Sequence, residues 1–443
     1  MTFKKFLTIL MVASSVWTAP SRGQVSITPL TSGTGVSFWF AEDHSVPVLS
    51  LVMSFRAGNA EAPSEKVAVA SLLPSMLLEG AGDLDTKAFH ERLQTLGITI
   101  SATNDDDRLT ILLRTPITQL GEATKLLHLM LTQPRFDEEA FDRVKAVLIQ
   151  STENILQTPD WKAADALDTA LFPKGHPYTA GIRSVMELRP LNTRDVKHFM
   201  KDHIARDDLK IGICGDLTSE AVRQLVDTLT KDLREKGSYK KIEDAPFPGK
   251  GQDLFTPSTQ PQSVVFFAHP GLRYDHPDYI KLALLTYALG GGFESYLMQE
   301  VREKRGLAYG ASAHLNVAAH SAFLSATLQS DGKTVDEAVA VTKAQFERLR
   351  HGLSQADLDR AKNYLIGSFP LQFTSSSDIA SVLHMYQVQG RTPDYLQKRE
   401  GLIRAVTLAE INAFAHTFIK PDLLITSISG AKHQPTPPSK EKP

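Results

Sequence analysis

The first half of the chain alternates between two spacings of hydrophobic residues. Short runs rich in β-branched and aromatic residues predict strands, and longer stretches with a hydrophobic residue every three or four positions predict amphipathic helices. The predicted strands cover residues 36–40, 48–55, 98–102, 109–115 and 209–214. The predicted helices cover residues 66–78, 86–96, 117–132, 138–156, 194–202 and 219–235. These elements indicate a sheet covered by helices.

The same order of strands and helices returns in the second half. Strands are predicted at 263–268, 308–314, 322–329 and 423–428, and helices at 278–288, 294–304, 334–350, 355–368 and onwards to 415. Between the halves, residues 237–251 are polar and aperiodic, which predicts a linker. We therefore predict an internal duplication and an α+β fold, with two homologous αβ domains at residues 24–236 and 252–431. Each domain is expected to hold a mixed or antiparallel sheet.

The two ends of the chain differ in composition from the rest. Residues 1–23 begin with Lys4 and Lys5, continue with an apolar run at 6–16 and end in small residues, which predicts a secretory signal peptide. An uncleaved anchor is the alternative, but the apolar run is short for a membrane span. We expect a periplasmic or otherwise exported protein with no membrane span after signal removal. Residues 432–443, with four prolines, predict a disordered tail.

Charge and metal-ligand spacing exclude several classes of function. The 48 basic residues nearly balance the 50 acidic ones, so no basic field is available to gather nucleic acid. None of the 14 histidines has another histidine four residues away, which is the spacing that places two ligands on one helix face. The single cysteine, Cys214, excludes an internal disulfide and lies in a predicted buried strand. The residues alone therefore reveal no self-sufficient active site.

One stretch, residues 288–309, combines a glycine triplet with charged and aromatic residues. It reads ALGGGFESYLMQEVREKRGLAY and contains Gly290, Gly291 and Gly292 between two predicted helices, followed by Arg302 and Tyr309. Loop glycines beside an arginine and a tyrosine are compatible with an anion or carbonyl clamp at a cleft. The charged run is equally compatible with a solvated helix end. No Gly-Lys-Ser/Thr follows the glycines, so this is not a phosphate loop.

With this stretch and a second one, GHPYTAGIRSVMELRPLNTRDVKHFMKDHIARDDLKIGICGDL, the chain resembles the pitrilysin or insulinase-like zinc peptidases, the inverzincins. The resemblance covers nearly the whole chain after residue 23 and points to the short two-domain branch of the family. It implies a clamshell that opens at the linker, and a peptide substrate extended along a sheet edge. The matching edge is residues 99–104, so Ser101, Ala102 and Thr103, together with the glycine triplet, are candidate substrate-binding residues.

The resemblance also locates a degenerate metal site. The family's His-x-x-Glu-His motif aligns with residues 71–75, where Ser71 and Ser75 replace the two histidines and Pro74 replaces the general base. The third ligand aligns with Ser151. Serine hydroxyls are poor zinc ligands, and proline can neither accept a proton nor donate a backbone hydrogen bond. We therefore expect no metal and no cofactor in this chain.

Some peptidases of this family have two chains, and the chain without zinc keeps an arginine and a tyrosine. By resemblance these are Arg302 and Tyr309, seven residues apart as in the family. The leading hypothesis is a non-catalytic subunit that gives both residues to a zinc-bearing homologous partner. The alternative is a structural or peptide-binding subunit with no catalytic role. A third possibility is a self-sufficient peptidase with a displaced metal site.

Overall fold

The strands of each half assemble into one sheet. In the computed structural model, which describes residues 26–179 and 181–431, the first sheet has the strand order β1-β2-β6-β3-β5-β4. Its strands are β1 Ile27–Thr31, β2 Ser37–Glu42, β3 Val48–Phe55, β4 Thr99–Asn104, β5 Leu109–Pro116 and β6 Lys210–Gly215. Neighbouring strands are antiparallel except β2 and β6. The predicted signal peptide and the tail at 432–443 lie outside the described residues.

The second sheet repeats this arrangement. Its strands are β7 Gln252–Pro257, β8 Gln262–Pro270, β9 Ala308–Val317, β10 Ala322–Asp331 and β11 Ile425–Gly430, in the order β7-β11-β8-β10-β9. The pair β7 and β11 is parallel, like β2 and β6, and the other pairs are antiparallel. The predicted two-domain α+β fold is confirmed. Strand β7 was not predicted, because only two of its six residues are hydrophobic and they are adjacent instead of alternating with polar ones.

Helices cover the sheets and bury two large cores. The first half contains α1 Val69–Leu77, α2 Thr86–Leu96, α3 Leu120–Thr132, α4 Glu138–Leu156, α5 Pro159–Leu171, α6 Thr193–His203 and α7 Ser219–Thr230. The second half contains α8 Tyr279–Gly290, α9 Val335–Arg350, α10 Gln355–Gly367, α11 Ser376–Val388, α12 Tyr395–Ala405 and α13 Leu408–Phe418. Among the residues that the structure describes, no helix has the length and apolar character to cross a bilayer.

Two helices cross from one half to the sheet of the other. Helix α11 packs on β6, β3 and β2 of the first sheet, and α5 packs on β11, β8 and β7 of the second. The contact of α11 is so close that a Cβ atom on Gly212 would lie 2.3 Å from the carbonyl oxygen of Ala380. On the other side, the hydroxyl of Ser427 donates to the carbonyl of Ala163 at 2.7 Å.

This exchange bears on two expectations. Helix α5 was not predicted, because Pro159 follows the predicted helix at 138–156 and proline commonly ends a helix. Proline is tolerated at the first turn of a helix, and here the Thr158 hydroxyl caps that turn by accepting from the Trp161 N–H at 3.2 Å. The hinge expected at the linker stays a prediction, and the exchanged helices set its cost. Opening there would pull both exchanged helices off their sheets and expose apolar surface.

Hydrogen bonds also close the seam between the halves. The Tyr178 hydroxyl donates to the Asp107 carboxylate at 2.6 Å and accepts from the backbone N–H of His320 at 2.9 Å. The Ala319 N–H donates to the other oxygen of Asp107 at 2.8 Å. The β4–β5 turn and the β9–β10 turn therefore meet at this point, with Tyr178 between them.

Candidate functional site

Helix α1 carries the positions that align with the zinc motif, and its side chains are already engaged or unsuited to a metal. The Ser71 hydroxyl donates to the amide oxygen of Asn59 at 3.1 Å, and the Asn104 amide donates to the same oxygen at 2.8 Å. Pro74 is buried inside the helix, while Ser75 is exposed. The Ser71 position is thus part of a hydrogen-bond network centred on Asn59.

The aligned third position does not complete a metal site. The Ser151 hydroxyl donates to the carbonyl of Leu148 within its own helix at 3.0 Å. The four aligned positions offer three hydroxyls and no imidazole, carboxylate or thiolate, so they do not fit zinc. In the described part of the chain, no group of three His, Cys, Asp or Glu side chains is arranged to hold a metal ion. We therefore assign no step of chemistry to a metal in this chain.

The candidate substrate strand lies where the sequence placed it. Strand β4 is at the edge of the first sheet, with Ser101 and Thr103 exposed and Ala102 half-buried. Its outer backbone groups can accept an added strand. Binding of a peptide there stays a prediction.

The glycine triplet has a packing function. Gly290 is the buried last residue of α8, and a Cβ atom there would lie 2.3 Å from the backbone nitrogen of Ala313 on β9. A Cβ atom on Gly291 would lie 2.4 Å from the ring of Tyr287. Glycine is therefore needed at both positions so that α8 ends against the edge strand of the second sheet. Substrate contact by Gly290, Gly291 and Gly292 stays a prediction.

Arg302 lies in a π-helix rather than in the predicted α-helix. The π-helix covers Met298–Glu303, and the N–H of Lys304 donates to the carbonyl of Gln299, five residues earlier, at 3.0 Å. Gly306 ends it with a φ of 61°, in the left-handed region that favours glycine. Single π-turns are rare and occur often at functional sites. The helical spacing alone gave no sign of the extra residue in the turn.

Arg302 differs from its charged neighbours Lys304 and Arg305 in its ion pairs. Glu300 binds Lys304 at 2.6 Å and Arg305 at 2.5 Å, and these two partners lower the pKa of its carboxyl group. The nearest carboxylate to Arg302 is that of Glu303, 4.0 Å away, and its own side chain is 40% exposed. Lys304 and Arg305 thus form the solvated helix end, whereas Arg302 has donors available for a further ligand.

Tyr309 sits on a β-bulge at the edge of the second sheet. Ala308 pairs with Ser330 and Ala311 with Leu328, so two residues, Tyr309 and Gly310, lie opposite one residue of β10. Bulges occur often at sheet edges and next to active sites, where they redirect a side chain. The side chain of Tyr309 is 88% exposed, the largest value among the exposed large hydrophobic residues of the described chain.

The structure brings part of the predicted site together. The π-helix with Arg302 packs against β9, which carries Tyr309, and Gly290 packs against the same strand. The serines of α1 and α4 and the strand β4 belong to the first half. Sequence reasoning did not identify Phe293, which lies next to Arg302 and is 76% exposed. Its only signal was a large aromatic residue directly after three glycines.

Comparison with known proteins relates both halves to one family. Residues 39–178 match the model described as insulinase (peptidase family M16), and residues 190–365 match the model described as peptidase M16 inactive domain. The chain is 26% identical over 397 residues to the non-peptidase homologue YmxG of Helicobacter pylori, covering 89% of this chain and 91% of that protein. It is 21% identical to an uncharacterized zinc protease YmxG of Bacillus subtilis, covering 92% and 99%.

A solved structure, described as a peptidase M16 inactive domain from Pseudomonas fluorescens, has the same fold. Its TM-score is 0.86 at 24% identity, and the likeness covers 93% of this chain and 100% of that one.

Proposed function

The chain belongs to the insulinase family of peptidases, M16, and from this premise we propose that it is a non-catalytic subunit that completes the active site of a homologous zinc-bearing partner. The chain contributes Arg302 and Tyr309 to that site. Its substrate is an extended peptide, and the complex works in the periplasm or another exported location. The partner carries His-x-x-Glu-His and the zinc ion.

One observation carries the proposal: the second half presents its two site residues outward, while the first half has no residues for the chemistry. Arg302 and Tyr309 lie on a π-turn and a β-bulge, both exposed. The zinc positions hold Ser71, Pro74 and Ser75. Strained or irregular backbone persists where the surrounding structure maintains it, often because a function requires it. A pair of irregular turns holding two polar side chains in solvent supports a role toward another molecule.

The chemistry of the two side chains suits the stabilisation of a developing oxyanion. A guanidinium group offers five N–H donors and a permanent positive charge, and a phenol offers one O–H donor. Donors placed in advance around a carbonyl oxygen bind it more strongly as negative charge develops in the transition state. In this chain Arg302 would orient the scissile carbonyl and Tyr309 would donate to its oxygen.

A complex captured through an affinity tag on this chain tests the proposal. We expect peptidase activity in the complex and none in the chain alone. Arg302→Ala should lower kcat about 10²- to 10³-fold, the cost of removing one oxyanion donor. Arg305→Ala is the matched control, because it removes an equal charge three residues away that is bound to Glu300.

The alternative, a structural or peptide-binding subunit, makes a different prediction in the same experiment. A stable complex whose kcat/KM is the same for wild type and Arg302→Ala would favour it and would refute the assigned role. Stoichiometric zinc in the purified chain, measured by mass spectrometry of the metal, would instead point to a self-sufficient peptidase.

A further inference from the structure

The aromatic ring of Phe293 is positioned beside Arg302. The guanidinium carbon of Arg302 lies 5.9 Å from the ring centroid, near the outer limit of a cation–π contact. Phe293 is 76% exposed, more than any other described large hydrophobic residue except Tyr309. A phenylalanine so exposed loses the stabilisation that burial would give it, so its position calls for a reason.

The backbone on both sides of Phe293 is held by contacts. Gly291 and Gly292 lie against Tyr287, whose ring stacks on that of Tyr364 at 4.4 Å between centroids. Immediately afterwards, the N–H of Ser295 donates to the carbonyl of Gly292 at 3.0 Å and closes a turn. Phe293 is thus at the tip of a closed turn that rests on an aromatic pair.

Neighbouring carboxylates are bound to other cations. Glu294, next to Phe293 in sequence, binds Arg360 at 2.6 Å. Glu300 binds Lys304 and Arg305. The Arg302 guanidinium lies beside the Phe293 ring, and the Glu303 carboxylate is 4.0 Å away.

We propose that Phe293 is a positioning residue for Arg302, an inference that rests on the proposed function. A ring face attracts a guanidinium through its quadrupole and occupies none of the N–H donors. A carboxylate at the same place would bind those donors and withdraw them from a carbonyl ligand. Phe293 orients Arg302 toward the partner's site and leaves its donors available for the substrate.

The contact can be measured in the chain alone with phenylglyoxal, a dicarbonyl that modifies arginine. Mass spectrometry gives the modification rate of Arg302 relative to Arg305 within one sample. We expect this ratio to rise about two- to five-fold in Phe293→Ala and Phe293→Leu, the range that an exposed cation–π contact supplies, and to stay at the wild-type value in Phe293→Tyr. Leucine keeps bulk without a ring face, so a wild-type ratio in Phe293→Leu would overturn the proposal.

The captured complex tests the consequence for catalysis. Phe293→Ala should lower kcat about two- to five-fold with little change in KM, and Phe293→Tyr should restore it. A kcat that falls for Arg302→Ala but not for Phe293→Ala overturns the positioning role and leaves the proposed function intact. If kcat/KM is unchanged in Arg302→Ala, both the positioning role of Phe293 and the proposed function are overturned. Phe255→Ala, which alters an exposed phenylalanine on β7, is the control and should match wild type.

Discussion

The two halves differ in the side chains that they place at the edge strand of their sheets. In each sheet an edge strand, β4 or β9, lies beside a helix, α1 or α8, that packs against it. On the first side the Ser71 hydroxyl and the Asn104 amide converge on Asn59 within the chain. On the second side Arg302 and Tyr309 point into solvent from irregular backbone. The two halves therefore share a scaffold, and the candidate residues Arg302 and Tyr309 lie on the second one only.

The strongest test of this comparison changes one hydroxyl in each half. Tyr309→Phe removes the phenol donor and should lower kcat of the captured complex about 10²- to 10³-fold. Ser75→Ala removes an exposed hydroxyl from α1 and should leave kcat unchanged. If Ser75→Ala lowers kcat as much as Tyr309→Phe does, the proposed difference between the two halves is contradicted.

A second test uses two buried neutral histidines of the second half, one packed against the first sheet and one lying within the second sheet. His384 on α11 bonds to the Ser54 hydroxyl at 2.6 Å, and His269 accepts from the Lys420 N–H at 2.9 Å. Burial lowers the pKa of each imidazole from 6.5 to about 4. Because the folded-state pKa is the lower one, this stability is fully present above pH 6.5 and is lost as the pH falls toward 4.

At pH 5 each histidine should therefore cost about 2 kcal/mol of unfolding free energy relative to pH 7.5. Urea unfolding at the two pH values measures the loss. His384→Gln should remove only its own share, about 2 kcal/mol, from the change in unfolding free energy between the two pH values, since His269 still titrates. If the unfolding free energy changes equally between the two pH values in wild type and His384→Gln, the His384 imidazole does not contribute to the pH dependence.

Close packing of helices on both sheets gives a third test. Gly212→Ala and Gly290→Ala each place a methyl group within 2.3 Å of backbone, at α11 and at β9 respectively. Each should lower the unfolding free energy by about 1–3 kcal/mol, measured by urea denaturation, because the packed elements must move apart. Gly121→Ala, on the exposed side of α3 with open space around it, is the control and should be neutral or stabilising by up to about 1 kcal/mol. If the first half of Gly212→Ala unfolds in a separate transition from the second half, the exchanged helices do not couple the unfolding of the two halves.

The smallest effect is expected in the degenerate network. Ser71→Ala removes the hydrogen bond to Asn59 and should cost about 0.5–1.5 kcal/mol of unfolding free energy in the same assay. Its control, Ser75→Ala, should be neutral because that side chain is exposed. A zero cost for Ser71→Ala would mean that the network is not needed for the fold.

The candidate site residues could be named from the sequence because their signals are local. The glycine triplet, Arg302 and Tyr309 lie within 20 residues, and the serines of the degenerate motif are four positions apart on one helix. By contrast, Phe293 was not identified. An exposed phenylalanine has no pattern of its own, and its neighbour Arg302 is nine positions away across a turn whose shape depends on the π-helix.

The sequence by itself determined the duplicated α+β plan, the loss of zinc ligands and the pair of candidate residues. The duplicated plan depends on local residue types and periods, whereas the degenerate zinc positions and the candidate pair follow from the resemblance to the family. Tertiary structure alone decided that α5 and α11 exchange sheets, that Glu300 binds Lys304 and Arg305 instead of Arg302, and that a bulge presents Tyr309. These features depend on contacts between segments, or on a shift of one residue in a turn or ladder. Hydrophobic periodicity does not record either, because it reports which face is buried and not what lies against it.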